Sequence, residues 1–247
     1  MGGGMASRTP IFIVCSPQPR VGRTLVARLL VDFFLMESRP VAAFDFDNEP
    51  PSLIDFMPGY TVRADVTEIG GQMAVFDRLI VADRTAKVVS LGPAAFQQFF
   101  SVLGEIGFAE DARGRGIEPI ALFLATSDAI SQRVYRELQR RLPDTVLVPV
   151  YNETIARGDR TRRQGYPLSR AISVSMQIPT LAPLFHRYLD KPPFSFADFR
   201  SAPPHDIPLE HYMELLRWMR RAFVEFRELE LRLLLGDVQA SLDCSWS

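Results

Sequence analysis

Apolar runs of strand length alternate with stretches of helical period from Pro10 to Val150. Pro10 to Cys15 (PIFIVC) is short, continuous and rich in β-branched residues, the mark of a buried strand. SPQPRVGR follows as loop chemistry. From Thr24 the apolar positions Leu25, Val26, Leu29, Leu30 and Phe33 recur at helical spacing, which gives a helix with one apolar face. Arg39-Pro40 stops that helix, because the residue before a proline is driven out of helical geometry. Pro40 to Phe44 then reads as a second strand running into Asp45-Phe46-Asp47. Strand, loop, helix, strand in that order predicts a parallel βαβ unit.

The alternation continues with a helix over Gly71 to Val81 and a third strand, AKVVSL, over Ala86 to Leu91. A helix over Ala94 to Ile106, a strand over Pro119 to Ala125, a helix over Ile130 to Leu142 and a strand over Thr145 to Val150 complete it. This pattern predicts an α/β fold, a mainly parallel sheet flanked by helices. Beyond Asn152 the chain turns polar and arginine-rich, and Pro192-Pro193 and Pro203-Pro204 frame a connector. Leu209 to Leu235 carries the longest helical pattern. The expected division is an α/β domain over residues 9–190, then a proline-rich connector and C-terminal helical extension over 191–247. That last helix suits packing on its own domain or a homodimer contact; its mixed charge does not suit a membrane surface.

The loop between the first strand and helix carries the chemistry. A phosphate-binding P-loop reads GxxxxGK[ST] between a strand and a helix: backbone amides wrap the phosphates, the lysine neutralises them, and the hydroxyl binds Mg²⁺. Here the stretch is Pro17-Gln18-Pro19-Arg20-Val21-Gly22-Arg23-Thr24. Gly22 and Thr24 match, while Pro17 replaces the first glycine and Arg23 the lysine.

With its loop-to-DxD spacing, the stretch from about Thr9 to Asn152 resembles the MinD/ParA family of P-loop ATPases, whose loop reads roughly GKGGxGK[ST]. The resemblance implies a P-loop NTPase-like fold and ATP or ADP with Mg²⁺ as cofactor. It implies that Val21, Gly22, Arg23 and Thr24 face the phosphates and that Thr24 binds Mg²⁺. It places Asp47 at the attacking water as the catalytic residue, with Asp45 supporting it, and Asn152 at the adenine base. Apart from that resemblance, the two aspartates also suit a hydrated strand end or a helix cap. The departures are Gln18 for the signature lysine, Pro19 and Arg20 for glycines, and Ser90 on AKVVSL for the aspartate that holds the Mg²⁺ water. A proline also removes an N–H from a loop that works by presenting them.

Composition narrows the classes. With 28 Lys+Arg against 29 Asp+Glu, the chain has no global attraction for nucleic acid or anionic membrane. Lys87 and Lys191 are the only lysines, so arginine supplies nearly all the positive charge. Arg157, Arg160, Arg162 and Arg163 form a local cluster that suits either a solvated loop or phosphate, including DNA. Cys15 and Cys244 make neither a disulfide framework nor a metal cluster, the three histidines have no ligand spacing, and no run is apolar enough to span a membrane. The expectation is a cytoplasmic protein. It acts by association, as a regulator or adaptor in positioning, partition or a related bacterial process, with weak or no ATP hydrolysis. An active divergent ATPase that dimerises on ATP, and a DNA-binding partition factor, are the alternatives.

Overall fold

The structure, a computed structural model, describes residues 8–155, 165–168 and 173–245, with side chains described to 236. The arginine cluster at 157–163 lies outside the described residues.

The elements run β1 (Thr9–Cys15), α1 (Arg23–Met36), β2 (Val41–Asp45), α2 (Leu53–Phe56), β3 (Thr61–Arg63), α3 (Ile69–Leu79) and β4 (Ala86–Leu91). Then come α4 (Pro93–Glu105), α5 (Phe108–Gly114), β5 (Ile117–Leu124), α6 (Ala129–Arg141), β6 (Val146–Asn152) and β7 (Met176–Ile178). Helices α7 (His186–Leu189), α8 (Phe196–Ser201) and α9 (Leu209–Ser245) close the chain. The sheet has the order β3-β2-β4-β1-β5-β6-β7, and every pairing is parallel. The fold is α/β, a parallel sheet flanked by helices, as the alternation predicts.

The order of strands fixes where a ligand crevice can form. The step from β1 to β2 runs one way across the sheet, whereas β3 to β4, β4 to β5 and β5 to β6 run the other way. Right-handed crossovers therefore put α1 on one face and α3 to α6 on the opposite one. Two separate apolar clusters confirm this division: α1 packs with α8 and α9 against one face, and α3 to α6 pack against the other. The connections diverge at the carboxyl end of central β1, and open α/β sheets bind ligands at such a point.

Three differences from the sequence pattern have physical causes. AKVVSL is the fourth strand, because the three-residue edge strand β3 precedes it; a run that short carries no periodicity. The 191–247 segment is packed, not a bare connector: α8 lies within it, and Phe196, Phe199, Trp218, Phe223 and Phe226 share the α1 core. As a result α1 loses its expected polar face. Arg28 is 3% exposed and Asp32 is 0% exposed, although both lie outside the apolar stripe of α1. Phe33 meets Phe223 and Phe226 at 5.4 and 5.6 Å between ring centroids, and burial of each such ring contributes about 1.5–3 kcal/mol.

Candidate functional site

Residues 16–22 join the carboxyl end of β1 to the amino end of α1, at the divergence of the sheet connections. The turn reverses sharply through two left-handed residues, Arg20 at φ 58° and Gly22 at φ 94°. Gly22 is required there twice over. Its φ is glycine territory, and a Cβ would stand 2.4 Å from Asn152 Nδ2.

The amides of Arg20, Val21, Gly22, Arg23 and Thr24 donate to no protein acceptor among the described residues; the first bond of the helix runs from Val26 N–H to the Gly22 carbonyl. Consecutive free amides next to a left-handed residue and a helix amino end are the donors that anion sites use. Pro17 turns to the opposite face of the sheet, where it borders a groove of ≈ 670 Å³ with Phe96, Gln97, Ser101 and Leu138. Ser16 Oγ accepts the Gln18 amide.

Arg23 crosses the loop rather than pointing out of it. Its Nη1 donates to the Gln18 carbonyl at 2.9 Å and its Nη2 to Asp47 Oδ2 at 2.8 Å, with side-chain exposures of 8% and 12% for the ion pair. Its Nε is buried with no partner. Thus the two residues that the family resemblance gives separate roles, phosphate cation and water carboxylate, neutralise each other.

Asp47 is tightly seated. Its backbone N–H donates to Asp45 Oδ1, its Oδ1 accepts the Glu49 amide, and its carbonyl accepts Arg63 Nη1 at 2.7 Å. Gly92 lies so close that a Cβ there would sit 3.1 Å from Asp47 Cα. Asp45 is wholly buried and accepts the Asp47 and Ile54 amides at 3.1 and 2.9 Å, so it holds the chain between β2 and α2 in shape.

Asn152, at the end of β6, donates from Nδ2 to the Val21 carbonyl at 3.2 Å and accepts the Thr154 amide. It braces the loop from behind with a carboxamide that is 5% exposed. Gln18 donates to Asp128 Oδ1, and Asp128 also caps α6 by accepting the Ser131 amide. Burial pushes the Asp128 carboxyl up, but the hydrogen bonds from Thr126, Ser131 and Gln18 outweigh it and hold the group below the usual carboxylate range.

The donor set around Thr24 does not fit Mg²⁺. That ion is held by one or two carboxylates together with phosphate oxygens and waters. Thr24, half-buried at the start of α1, contributes only a hydroxyl. Asp45 is committed to amides and Asp47 to Arg23. Ser90, where the resemblance places an aspartate, is 1% exposed and its Oγ has no partner. Among the described residues no group of three or more His, Cys, Asp or Glu is placed to hold a metal. Cys15, beneath the loop, is a buried thiol whose desolvation pushes its pKa far up, against a smaller opposing effect of Arg23, so it is inert as a nucleophile.

One buried cluster escaped the sequence reading. Asp32 accepts hydrogen bonds from Ser195 Oγ and from the Phe196 and Ala197 amides, so α1 caps α8 across the core. Arg28 donates to the Leu189 carbonyl and stacks on Phe56 at 3.9 Å. Burial lowers the Arg28 pKa to about 10, partly offset by Asp32 and Asp190. The signal was the Ser195-x-x-Asp198 cap signature inside the supposed connector.

No protein-family model matches the chain, and no curated protein matches it. Among solved structures it is similar to a nucleotide-binding protein from Archaeoglobus fulgidus, determined in complex with ADP and with cobalt present. The identity is 15%, the match covers 88% of this chain and 91% of that one, and the TM-score is 0.38. No helix among the described residues is long and apolar enough to cross a membrane.

Proposed function

We propose that the chain is a degenerate MinD/ParA-like protein that keeps a nucleotide-phosphate cradle but acts by association, as a regulator or adaptor, with little or no ATP hydrolysis. The observation that carries this reading is the Arg23–Asp47 bridge. Phosphoryl transfer needs a cation on the phosphates and a separate group orienting the nucleophile. Here the candidate cation and the candidate carboxylate hold each other at 2.8 Å. Ser90 supplies no carboxylate to hold a metal-bound water, so a second catalytic contribution is missing from the same site. Each such clamp is worth several orders of magnitude in rate.

Association is supported by the outer face of α9. Val224, Leu231 and Leu235 lie at seven- and four-residue steps along it and are 57%, 60% and 64% exposed. A stripe of this kind on a helix whose other side is fully packed suits a second helix, and a second copy of the chain is the partner we assign to it. A cytoplasmic setting and ATP or ADP as ligand belong to the same reading.

The test is turnover. The purified full chain with ATP and Mg²⁺ is expected to release phosphate no faster than a matched Arg23→Ala variant. Hydrolysis at rates typical of active P-loop ATPases, lost in that variant, would overturn the proposal.

A further inference from the structure

We infer that α9 pairs with α9 of a second copy in antiparallel orientation, through a seven-residue repeat that runs from Val224 to Leu242. The inference rests on the association reading above and deepens it: it sets the direction of the two helices and makes their pairing independent of nucleotide.

The helix outlasts its own domain. Among the described residues, the last α9 side chain packed on the α1 core is that of Leu233, yet the helix continues to Ser245. At 1.5 Å per residue that arm is about 18 Å long. A stretch of this length is marginal as a helix in water unless something packs on it.

The outer side of α9 carries the repeat. Val224, Leu231 and Leu235 are each more than half exposed, and Leu234 beside them is exposed as well. Steps of four and three residues lead from Val224 through Glu228, Leu231 and Leu235, and the sequence continues them with Val238 and Leu242. That spacing is the seam of a two-stranded coiled coil. Toward the amino end the same steps fall on Arg221 and Arg217.

Charge sets the direction. Arg217, Arg220, Arg221 and Arg227 are all exposed in the amino-terminal half of this side. Arg227 pairs with Glu37, whereas the other three have no acidic partner among the described residues. Beyond Arg232 the helix holds Asp237 and Asp243 and no basic residue. Its carboxyl end also carries the negative pole of the backbone dipoles. Parallel copies would set Arg217, Arg221 and Glu228 each against itself in the seam. Antiparallel copies lay the acidic arm of each along the basic half of the other.

In that register Val224 meets Leu242 of the other copy, Glu228 meets Val238, and Leu231 meets Leu235. Arg232, which faces its own copy near the centre, has Glu228 as its counter-ion at 3.3 Å. A lipid surface is the other way to cover an apolar stripe, but Glu228, Asp237 and Asp243 in the same stretch oppose an anionic membrane. No residue of the repeat belongs to the loop between β1 and α1, so pairing needs neither nucleotide nor metal.

The experiment joins light scattering on a sizing column with cysteine cross-linking, both on the full chain. In EDTA without nucleotide the parent should run as a dimer, and ATP with Mg²⁺ should leave its mass unchanged. Leu231→Glu should weaken the dimer at least about 100-fold, because each copy loses the burial of one leucine, and its circular dichroism should match the parent's. Direction is read in a Cys244→Ser background, where the remaining Cys15 is buried. Val224→Cys together with Leu242→Cys should give a disulfide-linked dimer on mild oxidation, and neither substitution alone should. A cross-link with Val224→Cys alone, no cross-link with the pair, or a dimer that forms only with ATP overturns the inference and leaves association standing. A parent that stays monomeric removes the inference together with the second copy as partner. A monomer that sediments with phosphatidylglycerol vesicles, and ceases to with Leu231→Glu, overturns it in favour of lipid. The mass of the parent without nucleotide needs no variant, so a variant that fails to fold does not protect the inference.

Discussion

The bridge between Arg23 and Asp47 can be weighed before any ligand is added. At an N–O distance of 2.8 Å the charge centres lie roughly 4 Å apart, and an effective dielectric of about 20 gives an attraction of about 4 kcal/mol. With side-chain exposures of 8% and 12%, solvent screens little of it. A double-mutant cycle isolates this coupling. Asp47→Ala strands Arg23 with Nη2 and Nε both unpaired in the interior, at about 3–5 kcal/mol. Arg23→Ala costs less, because Asp47 keeps the Glu49 amide on Oδ1 and lies nearer solvent. The double variant should then be more stable than the sum of the two losses by about 2–4 kcal/mol. Urea unfolding followed by circular dichroism measures all four proteins, and a constant slope against denaturant shows that stability alone has changed. A coupling energy within about 0.5 kcal/mol of zero would mean that the two groups are independent in solution. The cation would then be free for phosphate, as catalysis at the loop requires.

Other expectations follow from the same geometry. Burial pushes the Asp32 carboxyl up from 3.8 to about 6, against opposing hydrogen bonds from Ser195, Phe196 and Ala197 and the nearby Arg28. Because the folded state holds this proton more tightly, the stability the group contributes is full below pH 3.8 and is lost as pH rises through about 6, a change of about 3 kcal/mol. The difference between parent and Asp32→Asn unfolding energies across that window should carry this slope, and parallel curves would contradict it. Gly22→Ala meets both a φ of 94° and Asn152 Nδ2 at 2.4 Å, and should lose about 1–3 kcal/mol in thermal or urea unfolding. Adding Asn152→Ala should recover the clash but not the backbone strain, and complete recovery would show that the strain is absent. Ser90→Asp places a carboxylate where a hydroxyl is 1% exposed and unpaired. It should destabilise by several kcal/mol, and a neutral variant that gains Mg²⁺-dependent turnover would show an ordinary P-loop awaiting one residue.

The fold was legible because its signals are periodic. Strands β1, β4, β5 and β6 are continuous apolar runs, and a sheet covered on both faces requires that of them. The edge strands β3 and β7 have three residues each and no period to detect. The loop was legible in position, since residues 16–22 join the central strand to its helix. Its wiring was not. Whether Arg23 points toward a phosphate or back to Asp47 depends on side chains 24 positions apart that meet only through the sheet. The burial of Arg28 and Asp32 was hidden for the same reason: Leu189 and α8, arriving 161 or more residues later, help turn a polar helix face into core.

The departures at the loop are mutually dependent rather than four separate losses. A lysine at position 23 would present a compact ammonium, whereas the guanidinium fork spans the Gln18 carbonyl and the Asp47 carboxylate together. Once Arg23 is neutralised by Asp47, an aspartate at position 90 would be a further buried carboxylate with no cation, so serine there follows from the bridge. Gln18, in the place of a second cation, satisfies Asp128 and ties the loop to the α6 cap. Pro17 borders the groove on the opposite face, and the amides of residues 20–24 have no protein acceptor among the described residues. Random decay of an ATPase would leave buried charges without partners. Here the buried substituted cation, Arg23, has found one in Asp47, and the amides of residues 20–24 have no protein acceptor among the described residues, which is what the proposed binding role requires.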